Sequence, residues 1–221
     1  MLEIPLPGAR QCRRVLALGS HSDDIEIGCG ATLLALTRAR PEVEVTWVVL
    51  GAEGAREREA RASAEAFLGA AARSEILVYG FRDGFFPYVG GEVKDVFEEL
   101  KSRLEPDVIF THMRHDLHQD HRLVCELTWN TWRNHLILEY EIPKYDGDLG
   151  APNVFVPVSE ELAREKARLI NETFTSQQAK HWFEQELFLG LMRIRGMEAP
   201  STSGYAEAFV SRKLSLLITE A

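Results

Sequence analysis

Residues 15–19 (VLALG) form a short apolar run closed by glycine, which predicts a buried strand. Residues 28–38 then predict a helix, with Ala31, Leu34 and Ala35 on one face. The β-branched run VEVTWVVL at 43–50 predicts a second strand. Residues 56–68, rich in Ala, Glu and Arg, predict a helix closed by Gly69. A third strand is expected at 76–79, a helix at 93–104 stopped before Pro106, and a fourth strand at 108–111 (VIFT). A helix at 121–135 and a strand at 136–141 complete the regular part.

Strands alternating with connections of helical length predict an α/β fold of Rossmann-like kind, a mostly parallel sheet with helices on both faces. The rhythm weakens after Pro143. Residues 145–152 (YDGDLGAP) read as a loop, 154–158 as another strand, and 160–171 and 177–195 as helices. With no repeat and no linker, residues 1–221 read as one domain, whose part from about 143 to 221 is an extension packing on the same sheet.

Composition narrows the function classes. Hydrophobic residues make up 45% and charged residues 27% of the chain, ordinary for a globular protein. A net charge of −9 without a basic cluster argues against nucleic acid or an anionic membrane as partner. No apolar run approaches the ~20 residues of a membrane span. Residues 1–14 lack the apolar core of a secretion signal. Cys12, Cys29 and Cys125 are odd in number and form no CxxC pair, so neither a disulfide framework nor a thiolate zinc knuckle is expected. The setting reads as reducing and cytoplasmic.

Two segments carry chemistry. Residues 20–30 (SHSDDIEIGCG) follow the first strand and hold His21, Asp23, Asp24 and Glu26. In open α/β sheets ligands bind beyond the carboxyl ends of strands. Alone, this segment reads equally well as an acidic turn capping a helix. Residues 111–121 (THMRHDLHQDH) follow the fourth strand and hold four of the seven histidines, His112, His115, His118 and His121, with Asp116 and Asp120. Both segments end strands on the same edge of a parallel sheet, so they can converge. A set of imidazoles and carboxylates suits zinc with one position left open for water.

His-x-Asp-Asp-x-Glu-x-Gly after the first strand, followed later by His-x-Asp-His, resembles the LmbE-like family, also called the PIG-L family. Its members include zinc-dependent N-acetylglucosaminyl deacetylases. The likeness is good over residues 15–123 and loose beyond. One departure is Ser22, where the family usually carries proline. The resemblance implies one Zn2+ per chain, held by His21, Asp24 and His121. It implies Asp23 as general base, His118 as oxyanion donor and acid, and Asp120 as the partner of His118. It further implies Arg56 and Asp83 as sugar-binding residues, a small-molecule amino-sugar substrate and a homo-oligomer. Physical chemistry agrees with this division. A three-ligand zinc leaves room for water, an unligated carboxylate can take its proton, and a histidine can protonate the departing amine.

Other positions carry less. Arg56 lies among Arg58 and Arg61, and Asp83 in FRDG is also a turn former. Gly28 and Gly30 read as close-packing glycines, and Glu26 as a residue orienting a ligand. Trp129, Trp132 and Trp182 read as core or subunit interface. Two alternatives stay open: an amidase of the same family acting on a thiol conjugate, and a non-catalytic metal- or sugar-binding protein. A dinucleotide-binding module is disfavoured, because Gly19, Gly28 and Gly30 do not make G-x-G-x-x-G and the turn is acidic.

Overall fold

A computed structural model describes residue 4 and residues 12–215. Most of the N-terminal stretch read as lacking a secretion signal lies outside these residues. In chain order the elements are β1 (Arg14–His21), α1 (Asp24–Ala39), β2 (Glu44–Gly51), α2 (Ala55–Leu68), β3 (Arg73–Val78), α3 (Gly90–Arg103), β4 (Val108–His112), α4 (Gln119–Thr131), β5 (Leu136–Tyr140), β6 (Val154–Val158), α5 (Glu160–Thr173), α6 (Gln185–Glu198) and β7 (Tyr205–Val210).

The seven strands form one sheet in the order β3-β2-β1-β4-β5-β7-β6. The pairs from β3 to β5 are parallel, and β7 runs antiparallel to both β5 and β6. The sheet is buried on both faces, which is why β1 reads as a continuous apolar run rather than an alternating one. Val15 and Ala17 face a core shared with Ile25 and Leu33 of α1, Phe67 of α2 and Ile170 of α5. Leu16 and Leu18 face the opposite core, with Phe97 of α3 and Val124 of α4. The expected α/β architecture, with helices on both faces of a mostly parallel sheet, is the observed one.

Several boundaries differ from expectation for local reasons. α1 begins at Asp24, four residues earlier than the apolar pattern, because Asp24 and Glu26 in its first turn suit the positive end of a helix. α4 begins at Gln119 with His118 as its N-cap and ends at Thr131. α6 begins at Gln185. Residues 177–184 fold into turns instead, closed by Lys180 N–H to Gln177 carbonyl and Phe183 N–H to Lys180 carbonyl bonds. β7 escapes the apolar pattern because Glu207 sits in its middle. That buried carboxylate accepts from the backbone N–H groups of Ala31 and Thr32 in α1 and pairs with Lys166 of α5. Among the described residues no helix is long and apolar enough to cross a membrane.

The contact of α1 with the sheet depends on Gly28. A Cβ there would stand 2.2 Å from the ring of Tyr140, which is fully buried on β5 and donates its hydroxyl to the Leu18 carbonyl. Gly30 plays the same part against Phe67 of α2. Gly28→Ala should therefore cost roughly 1–3 kcal/mol, the usual range for overpacking. Gly91→Ala, where an added Cβ meets nothing within 4 Å, should leave stability unchanged or slightly higher. Thermal unfolding of the two variants checks this; an unchanged Tm for Gly28→Ala would refute the close-packing account.

Candidate metal centre and the groups around it

β1 and β4 are parallel neighbours, so their carboxyl ends lie side by side. His21 ends β1, Asp24 opens α1, His112 ends β4 and His121 lies in the first turn of α4. His21 Nδ1 lies 3.2 Å from His121 Nε2 and 3.4 Å from Asp24 Oδ2, and His121 Nε2 lies 3.5 Å from Asp24 Oδ1. Ligands bound at zinc distances in a tetrahedron stand about 3.3–3.6 Å apart. These spacings are of the order that a bound ion requires. The sets whose donor atoms all lie close enough to share one ion are His21, His118 and His121, and Asp24, His112 and His121, together with His21, Asp83, His118 and Asp120, and such nitrogen and oxygen donors suit zinc.

The neighbouring groups fix these donors. Asp116 Oδ2 lies 2.9 Å from His121 Nδ1, which directs Nε2 of that ring towards Asp24. Lys144 Nζ stands 3.0 Å from the same carboxylate oxygen, and Asp116 Oδ1 accepts the backbone N–H of His118. Asp24 Oδ2 accepts the backbone N–H of His21. Burial opposes the charge of Asp24, but the rings of His121, His112 and His21 hold its carboxyl well below the usual range. Burial and the nearby His112 ring bring His121 down to about 4, so it is a neutral donor at pH 7. His21 goes the other way. Burial opposes its charge, yet the carboxylates of Asp24, Asp120 and Asp83 raise it well above its ordinary value.

Asp23, adjacent in sequence, points elsewhere. Its Oδ1 lies 4.0 Å from Arg56 Nη2. Burial and the charge of Asp24 raise its pKa, while Arg56 and Lys180 act against that rise. Arg56 donates to Asp83 Oδ2 at 3.1 Å and to Ser22 Oγ at 3.2 Å. Ser22, the departure from the family's proline, thus supplies an oxygen that orients Arg56. Asp83 Oδ1 lies 3.0 Å from His21 Nε2, and that contact leads the interactions holding its carboxyl far below the usual range. His118 is half-buried, with its ring edge against His21, and burial followed by the charge of His21 lowers its pKa.

The structure brings all eight sequence-derived site residues into one cluster, with one difference in pairing. The Asp120 carboxylate meets His21 Nε2 at 3.2 Å and accepts the backbone N–H groups of Gly84 and Phe86. Its link to His118 runs through its own backbone N–H, which donates to His118 Nδ1 at 3.3 Å. The cause is helical geometry: His118 caps α4, and Asp120 in the first turn looks across to the loop after β3.

Sequence reading placed Asp116 and His112 in the His/Asp cluster, with His112 and His115 as pocket-lining candidates, but gave Asp116 and His112 neither a ligand nor a catalytic role. His112 is fully buried and stacks on His121 with ring centroids 3.9 Å apart. Its Nε2 lies 3.0 Å from the Ser20 backbone nitrogen and 3.2 Å from Asp24 Oδ2, and its Nδ1 has no partner. The Nε2 nitrogen thus faces a backbone donor, a carboxylate and, at 3.3 Å, the Tyr140 hydroxyl. Position at the end of β4 was the available signal for His112. His115 is exposed. Glu26 is fully buried, and burial raises its carboxyl well above its usual range, with the nearby Ser63 hydroxyl acting against that rise. The three tryptophans occupy separate places: Trp132 packs on Phe97, Trp129 donates to Glu139, and Trp182 stands against Tyr145.

Residues 16–132 match the PIG-L family, described as GlcNAc-PI de-N-acetylase. The chain is 30% identical over 167 residues to the uncharacterized deacetylase YaiS of Escherichia coli, a match covering 71% of this chain and 88% of YaiS. In structure it is similar to the conserved protein TT1542 of Thermus thermophilus, with a TM-score of 0.72 at 22% identity over 94% of this chain and 99% of that one. It is similar to the N,N'-diacetylchitobiose deacetylase of Pyrococcus horikoshii, with a TM-score of 0.67 at 20% identity over 92% and 85%. The 4-carboxy-2-hydroxymuconate hydratase GalB of Pseudomonas putida has the same fold, with a TM-score of 0.69 at 16% identity over 95% and 100%. The fold alone therefore does not decide the reaction. The family match and the YaiS identity, covering the strand ends that carry the His/Asp cluster, show that the chain belongs to the PIG-L, or LmbE-like, family of deacetylases.

Proposed function

We propose that this protein is a zinc-dependent hydrolase that removes the acetyl group from the nitrogen of an amino sugar of N-acetylglucosamine type. The observation that carries the proposal is the divergence of the two adjacent aspartates. Asp24 lies among three imidazoles, and Asp23 lies apart from them, beside Arg56. Such a pair divides into one metal ligand and one free carboxylate, the parts that amide hydrolysis needs.

His21, Asp24 and His121 would hold the metal, one per chain, and zinc bound there would supply a water of lowered pKa and a Lewis acid for the amide carbonyl. Asp23 accepts the proton of the attacking water. Its pKa, raised by burial and by Asp24, makes it a better proton acceptor than an exposed aspartate. His118 carries a proton to the amine nitrogen as it departs and donates to the oxyanion, since its half-buried ring faces the cluster. Asp120 orients His21, and Asp116 fixes the tautomer of His121. Arg56 and Asp83, joined to each other, bind the sugar hydroxyls. Three buried free cysteines suit a reducing, cytoplasmic setting.

Asp23→Asn keeps the shape of the side chain and removes the proton acceptor. It should leave zinc bound while kcat falls by roughly 10²–10⁴. Asp24→Asn should lose the metal instead. Metal analysis beside an acetate-release assay separates the two. Zinc lost equally from both variants, or near-normal activity in Asp23→Asn, overturns the division.

Asp116→Asn tests the support of His121. Metal affinity should fall by about 10–100-fold with the fold intact. Competition with a chelator measures it, and unchanged affinity would remove Asp116 from the site.

A further inference from the structure

The loop of residues 141–153, between β5 and β6, carries an ion pair to which the reaction above assigns no part. Arg195 of α6 donates to Glu141 at the start of this loop and to the Gly150 carbonyl further along. Between these anchors Gly147 takes a φ of 62°, a conformation that glycine adopts without a steric penalty. The turn it makes brings Asp148 back to Lys144. The Lys144 ammonium donates to both oxygens of that carboxylate, at 2.7 and 2.6 Å.

This pair reaches across to the segment between β4 and α4. Asp148 Oδ2 accepts the backbone N–H of Leu117 at 2.6 Å. Lys144 Nζ stands 3.0 Å from Asp116 Oδ2, and Asp116 Oδ1 accepts the backbone N–H of His118 at 2.8 Å. One ammonium thus joins the two carboxylates that hold two consecutive peptide N–H groups. The side chains of Lys144, Asp148 and Asp116 are 8%, 6% and 1% exposed, so water screens little of the attraction. Without the ammonium, two buried carboxylates would stand close together, and the segment would move to separate them.

The held peptide groups set where His118 points. Its backbone is extended, with φ −72° and ψ 121°, and its Nδ1 accepts the Asp120 N–H as the cap of α4. That leaves Nε2 facing the cluster, 4.0 Å from Asp83 Oδ1. Leu117, the residue before it, is 56% exposed and anchors the segment little by packing. We infer that Lys144 and Asp148 form an ionic latch that positions His118, so that the C-terminal extension sets the aim of the proposed acid. Both are positioning residues and touch no reacting atom. The inference rests on the reading of His118 as the acid.

The test uses the zinc-loaded full chain and two independent readouts. Amide hydrogen exchange, followed residue by residue by NMR, reads the latch directly. Lys144→Met should speed exchange at Leu117 and His118 by about tenfold or more, while the amides of β1 and β4 stay protected. Acetate release from N-acetylglucosamine, its methyl glycoside and N,N'-diacetylchitobiose reads the consequence. There kcat should fall by roughly 10–100-fold, with KM little changed and zinc retained. Lys144→Arg, which keeps the charge, should recover part of both. Asp148→Asn, a milder change, should move both readouts the same way and decides the matter if Lys144→Met does not fold. The double variant should be no worse than the worse single, since the two residues act as one unit. A latch serving stability alone would lower Tm and leave kcat intact at temperatures where the variant is folded. Unchanged exchange at both amides, or faster exchange with kcat intact, overturns the inference. So does loss of zinc, which would make Lys144 a support of the metal ligands instead. Faster exchange in a protein that releases acetate from none of the three sugars would uphold the hold on His118 and refute the deacetylase reading.

Discussion

Asp24 is 3% exposed, and the imidazole rings around it, with the His21 backbone N–H, favour its charged form against burial. An isolated carboxylate in such a place would take up a proton, since burial disfavours the charged form. The rings come from the end of β1, the end of β4 and the start of α4. Their meeting requires β1 and β4 to be adjacent and parallel, with both strands delivering their carboxyl ends to one edge. The crossover order of the sheet is therefore a condition of the chemistry. A cation at this point would add its own charge to the groups that favour the ionised carboxyl.

The C-terminal third is attached by charge inside the core. Lys166 of α5 donates to the Ile27 carbonyl and pairs with Glu207 of β7, which itself accepts two N–H groups of α1. Arg195 of α6 grips Glu141 just beyond β5. Buried pairs of this kind add little net stability over apolar packing, but removing one partner leaves an uncompensated charge that costs about 3–5 kcal/mol. They act as locks on register. Glu207 fixes β7 against α1, the helix that opens with Asp24, and Arg195 fixes the loop behind His121. The extension thereby reaches the metal centre without supplying any of its expected ligands.

Much of the fold was legible from apolar runs, because parallel strands buried on both faces need them. The His/Asp cluster was legible because histidine is scarce and both segments follow strands. What escaped shares one physical cause, dependence on contacts distant in sequence. β7 was hidden because Glu207, polar in sequence, is satisfied by α1 and α5. The start of α6 was misjudged because an apolar helical pattern ran through residues that tertiary anchors at Ser176 and Phe183 hold in turns. The pairing of Asp120 with His21 depends on the loop after β3 supplying two N–H groups. Trp182, read as core or interface, packs against the core, with Tyr145, far earlier in the chain, edge-on to its ring.

The family match ends at residue 132, while Lys144, Tyr145, Lys180 and Trp182 lie beyond it. The expected metal ligands and the expected base lie within it. Hydrolysis of an amide needs the same few groups whatever the amide is attached to, so that part of the sequence answers to the reaction. Recognition of the remainder of a substrate answers to whatever surrounds the reacting bond. Proteins of this fold include a deacetylase and a hydratase, so the sheet constrains neither substrate nor reaction by itself. What the sheet brings together here is a pair of adjacent aspartates at the end of β1, of which Asp24 lies among imidazoles and Asp23 beside Arg56.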